Sequence, residues 1–153
     1  RGSVANNVDP QQMGRLQVSV PAVLGEGSLS WAMPCVPFAG PGKGFFMLPP
    51  VGAKVWVEFE GGNPDYPIWA GCFWGLGEAP AAPAVEQMKV IKTDLATITL
   101  NDLPGVGGVT IELTTGAKID LKATGVEITN GQGGAISLYG FQVTVYNGVF
   151  EVI

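Results

Sequence analysis

The sequence predicts an all-β chain in two parts: an N-terminal closed barrel, then a β-helix that three chains intertwine to form. Three observations carry this. Glycine (23) and proline (12) are abundant among 153 residues, which suits short strands joined by tight turns. Residues 1–77 hold five short apolar segments without a helical period. Residues 89–153 hold one-sided strands that restart about every eight or nine residues.

The first part reads as follows. GRLQVSVP (14–21) alternates Leu16, Val18 and Val20 with polar partners. SWAMPCVPF (30–38) and GFFMLPP (44–50) are apolar and interrupted by proline, as at sheet edges or bulges. AKVWVEFEG (53–61) sets Val55, Val57 and Phe59 inward and Trp56 outward. DYPIWAGCFWG (65–75) is apolar on both faces; strict alternation sends Ile68, Ala70 and Cys72 inward and Trp69 and Phe73 outward. Five such strands suit a small barrel of the OB type. Trp56, Trp69 and Phe73 then form an outward aromatic patch, expected to meet another chain. Cys35 and Cys72 read as two buried thiols, with a bridge between neighbouring strands as the alternative.

An Ala/Pro-rich stretch at 78–88 (EAPAAPAVEQM) reads as a linker. Beyond it come TITLND (97–102), VTIELTTG (109–116), AKIDLKATG (117–125), VEITN (126–130), AISLYG (135–140), FQVTVYNG (141–148) and VFEVI (149–153). One face collects Ile98, Leu100, Val109, Ile111, Leu113, Ile119, Leu121, Val126, Ile128, Ile136, Leu138, Phe141, Val143 and Val145. The other collects Thr110, Glu112, Lys118, Asp120, Lys122, Glu127, Thr129, Ser137, Gln142 and Thr144, and is expected to be wet. Eight-residue strands are too short to close a coil alone, and a lone meander leaves its apolar face and edges open. Three copies resolve both problems. Ile111, Leu113, Ile119, Leu121, Val126, Ile128, Ile136, Leu138, Val143 and Val145 are therefore expected along a trimer axis. Each is worth about 1.5–3 kcal/mol when fully buried.

Composition narrows the function classes. A net charge of −5 without a basic run argues against nucleic acid. No apolar run approaches the roughly 20 residues of a spanning helix. Histidine is absent, which removes Ser-His-Asp and Cys-His catalysis and His-ligated zinc. No metal, cofactor or catalytic residue is expected.

Several motifs are specific: Trp31-Ala32, then PFAG (37–40), GFFMLPPVG (44–52), VWVEFEGGNPDYP (55–67) and GCFW (71–74). This arrangement resembles the OB domain of central spike proteins of contractile injection systems, the baseplate assembly protein V family of phage tails and the VgrG proteins of type VI secretion. TGVEITNGQGGAISLYG resembles that family's triple-stranded β-helix. The resemblance implies a homotrimeric spike in the baseplate of a phage tail or tail-like particle, assembled in the cytoplasm and driven through the target cell envelope. It implies no enzyme: the 78–88 gap is too short for the lysozyme domain that some relatives insert there. It further implies a separate baseplate hub protein, since the hub domain preceding the barrel in VgrG proteins has no counterpart here. Without histidine the metal-bound apex of some phage spikes is not expected. A PAAR-type tip protein is expected instead, docked on Phe150, Glu151, Val152 and Ile153. Two competing readings are an oligosaccharide-binding module stacking sugars on Trp56, Tyr66 and Trp69, and an enzyme using Asp65, Glu58 and Glu60, the last two placed on one strand face.

Overall fold

The computed structural model describes residues 1–146, which separate into two units, residues 1–78 and residues 79 onward. In the first, five strands close a barrel in the order β1 (Gly2–Asn6), β2 (Leu16–Ser19), β3 (Leu29–Pro34), β7 (Pro67–Phe73), β6 (Lys54–Phe59). All neighbours pair antiparallel except β3 and β7. The interior is Val4, Leu16, Val18, Val20, Ala32, Val55 and Trp69, flanked by Leu48, Val57 and Phe59 among others. Closure explains the sequence: a small barrel needs one inward side chain at alternate positions of each strand.

The membership of the barrel differs from the sequence expectation. Its remaining strand is β1, whose single buried apolar residue, Val4, gives no alternation to read. β1 exists because it pairs with both β2 and β6, and so closes the ring. Residues 44–50 contribute no barrel strand. Only β4 (Ala39–Gly40) and β5 (Lys43–Gly44) pair there, as a small hairpin. Pro49 and Pro50 have no N–H to donate to a ladder, and the Pro49 carbonyl instead accepts from Asn7 Nδ2 at 3.0 Å.

In the second unit seven strands form one antiparallel meander: β8 (Met88–Lys92), β9 (Ala96–Asn101), β10 (Gly108–Leu113), β11 (Lys118–Lys122), β12 (Gly125–Thr129), β13 (Ala135–Tyr139) and β14 (Gln142–Tyr146). β8 is an addition to the expected strands; MKVIK carries too short an alternation to announce itself. A 17-residue repeat of two strands places Val109, Val126 and Val143 in equivalent positions, and likewise Ile111, Ile128 and Val145. Close packing needs glycine at two strand starts: a Cβ on Gly125 would stand 2.1 Å from the Leu138 carbonyl oxygen, and one on Gly108 2.2 Å from that of Leu121.

Candidate functional site: the two ladders of the meander and the barrel surface

The meander's register aligns its aliphatic residues into two unbroken rows. One runs Ile91, Ile98, Ile111, Ile119, Ile128, Ile136, Val145 across all seven strands. The second runs Leu100, Val109, Leu121, Val126, Leu138, Val143, with Lys89 at its start on β8. Directly opposed β-branched and aliphatic pairs stabilise each strand junction by contact within the face. Among the described residues of the second unit, nothing covers that face. Apart from half-buried Val109 and Val126, these residues remain 36–64% exposed. Leu113 adjoins the rows and is exposed as well, whereas Phe141 lies in the turn before β14 and belongs to neither.

The opposite face corrects the expectation of a wet surface. Its central row is Val90, Thr99, Thr110, Asp120, Glu127, Ser137 and Thr144. Asp120 and Ser137 are buried there. Thr110 Oγ1 donates to Asp120 Oδ1 at 2.5 Å, and the Nζ of Lys118 and of Lys122 stand 2.6 and 3.5 Å from Asp120 Oδ2. Burial pushes the Asp120 carboxyl up, but the hydrogen bonds from Lys118 and Thr110 and the two lysine charges outweigh it and hold it below the usual range. The Asp120 hydrogen bond raises the Lys118 ammonium in return. So the polar side satisfies itself within one chain. The apolar side does not.

On the barrel, Trp56 and Phe73 stand outward, rings 4.8 Å apart and tilted 41°, with the Arg1 guanidinium carbon 5.4 and 5.8 Å from their centroids. Trp69 does not join them. It is buried, and its Nε1 donates to the Gly14 carbonyl at 3.2 Å. The cause is a bulge: Trp56 opposes Gly71 while Val57 opposes Trp69, so Ala70 is the extra residue. That extra residue reverses the inward–outward parity between Trp69 and Phe73. With Trp69 inside, Trp56, Tyr66 and Trp69 make no common stacking surface for a sugar. Glu60 leaves the strand in a short 3-10 turn (Glu60–Gly62), so it does not share a strand face with Glu58. Cys35 and Cys72 are free and exposed, contrary to the buried pair expected. Among the described residues no cluster of three or more acidic or thiol side chains could hold a metal. Phe150, Glu151, Val152 and Ile153 lie outside the described residues.

Two structural ion pairs tie loops to the barrel. Asp9 accepts from the backbone N–H groups of Gln11, Met13 and Arg15 and from the Arg15 guanidinium, whose closest contact is 2.7 Å. Lys54 pairs with Glu78 at 2.7 Å. Neither joins a catalytic group.

A closed five-stranded barrel and an exposed aliphatic double row define the class: an all-β assembly protein that associates through its second unit. The family models agree. Residues 1–74 match the type VI secretion system/phage-baseplate injector OB domain, and residues 88–151 match the phage baseplate V C-terminal trimerisation domain. The chain belongs to the baseplate V/VgrG-type spike family, is a homotrimer, and is a component of the baseplate of a phage tail or tail-like particle. A search of curated proteins finds no match.

Proposed function

We propose that this protein is the membrane-piercing central spike of its baseplate, acting mechanically and without catalysis. The observation that carries the reading is the exposed aliphatic double row over β8–β14. Three such faces turned to one axis bury what a single chain leaves wet, and form a dry β-helical needle with the self-satisfied Asp120 row outside. A rigid core of this kind transmits axial force without bending. The barrel is the collar: Trp56 and Phe73 are covered by another chain, and a separate hub protein holds the collar to the tail tube. Residues 149–153, with apolar Phe150, Val152 and Ile153 around Glu151, take a PAAR-type tip protein that meets the target envelope first. Assembly takes place in the cytoplasm of the producing cell, before the particle is released or fires.

The test is in two parts. Light scattering at micromolar concentration returns three times the 15.9 kDa chain mass if the rows face inward, and a monomer sinks the reading. Deleting residues 149–153 leaves that mass unchanged apart from the lost residues but abolishes capture of the tip protein. Capture that survives the deletion moves the tip site elsewhere.

A further inference from the structure

The barrel carries a second apolar surface, separate from Trp56 and Phe73. An open groove of about 490 Å³ lies between the β4–β5 hairpin, the loop that follows it and residues 12–14, with Trp69 among its lining residues. Phe38, Phe45, Phe46 and Met47 line it, and all four are exposed, Phe46 by 72%. Lys43, at the start of β5, also lines the groove and makes no ion pair among the described residues. The outward face of β6 reads quite differently: Trp56, then Glu58, with Glu60 in the 3-10 turn just beyond, all exposed and none in an ion pair among the described residues.

A homotrimer closed by a three-fold axis has heterologous contacts, in which one patch of a chain meets a different patch of the next. The barrel presents such a pair: an aromatic groove bearing a cation, and an aromatic strand face bearing one carboxylate, with a second in the turn that follows it. The trimerising sheet tethers three barrels within one particle, so each meets its neighbour at a far higher effective concentration than free partners in solution. We propose that the groove edge at Phe45, Phe46 and Lys43 of each chain docks onto the Trp56–Glu58 face of the next, beside the turn that carries Glu60, closing a ring of three barrels. Apolar contact between Phe46 and the exposed Trp56 excludes water, and Lys43 pairs with Glu58 or Glu60 at its rim. The inference deepens the reading of the barrel as a collar and rests on the trimeric state, not on tip or hub binding.

Zero-length carbodiimide coupling of the intact trimer tests it, with peptides mapped by mass spectrometry in trimers mixed from light and ¹⁵N-labelled chains. The expected product joins Lys43 to Glu58 or Glu60 of a differently labelled chain. Phe46→Ser should lower its yield at least five-fold. Lys43→Glu should abolish it, and Lys43→Glu combined with Glu58→Lys and Glu60→Lys should restore a coupling between the same two sites. Circular dichroism confirms that each variant keeps its barrel. An intact trimer in which Lys43 stays uncoupled, or couples only within its own chain, overturns the ring contact while leaving the spike reading standing. A monomeric mass overturns both.

Discussion

Replacing Ile128 by aspartate tests the exposed rows most directly. Ile128 sits in the middle of the isoleucine row, between Ile119 and Ile136, and is 42% exposed in the single chain. Complete burial of such a side chain is worth about 1.5–3 kcal/mol, so the part still available to trimerisation is roughly 0.6–1.3 kcal/mol per chain. Over three chains that is roughly 2–4 kcal/mol. The carboxylate adds a larger penalty. An aspartate in a dry core stays neutral, and neutralising it at pH 7, about three units above its ordinary value, costs about 4 kcal/mol per chain or about 12 kcal/mol per trimer. Together these rival the whole association term of a stable assembly. Light scattering and thermal melting at pH 7 should show a lost or strongly destabilised trimer. Because the folded-state carboxyl is raised, its penalty shrinks as pH falls, so trimer should partly return at pH 4.5; Ile128→Asn should show no such recovery. A trimer of unchanged melting temperature at pH 7 would refute an inward Ile128.

Three further outcomes follow from single contacts. Asp120→Asn, which strips Lys118 and Lys122 of their buried counter-charge, should cost about 1–3 kcal/mol in thermal or denaturant melting. The wild-type carboxyl is held low, so its contribution is complete above the unfolded value of about 3.9 and is lost as pH falls through the lower folded value; the variant should lose that acid dependence. Trp69→Phe removes the donor to the Gly14 carbonyl and part of the barrel core, and should lower barrel stability by about 1–3 kcal/mol while light scattering still reports a trimer. Gly125→Ala forces a methyl group against the Leu138 carbonyl, and should destabilise the second unit by more than about 1 kcal/mol, measured against an Ala123→Gly control in the adjacent turn.

The isoleucine and leucine/valine rows were legible because strand side chains alternate with a period of two, and each strand within residues 97–145 keeps that period along its own length. The inward residues of β2 and β6 were legible for the same reason. From the apolar row alone, and from the shortness of the strands, the need for partner chains followed. What alternation cannot reveal is where it breaks. The Ala70 bulge sends Trp69 into the barrel and leaves Phe73 outside, and it arises from how β7 must bend to pair with both β6 and β3. β1 joins the barrel through hydrogen bonds to β2 on one side and to β6, distant in sequence, on the other, with only Val4 as its apolar mark. Burial of Asp120 is likewise a tertiary outcome: threonine and lysine side chains of its own and the neighbouring strand converge on a carboxylate that any sequence pattern assigns to water. Local periodicity determines which face of a strand is apolar, because that depends only on the backbone pleat. Which strands meet, where a residue is inserted and which polar group is enclosed depend on pairings far apart in the chain, and those only the folded structure decides.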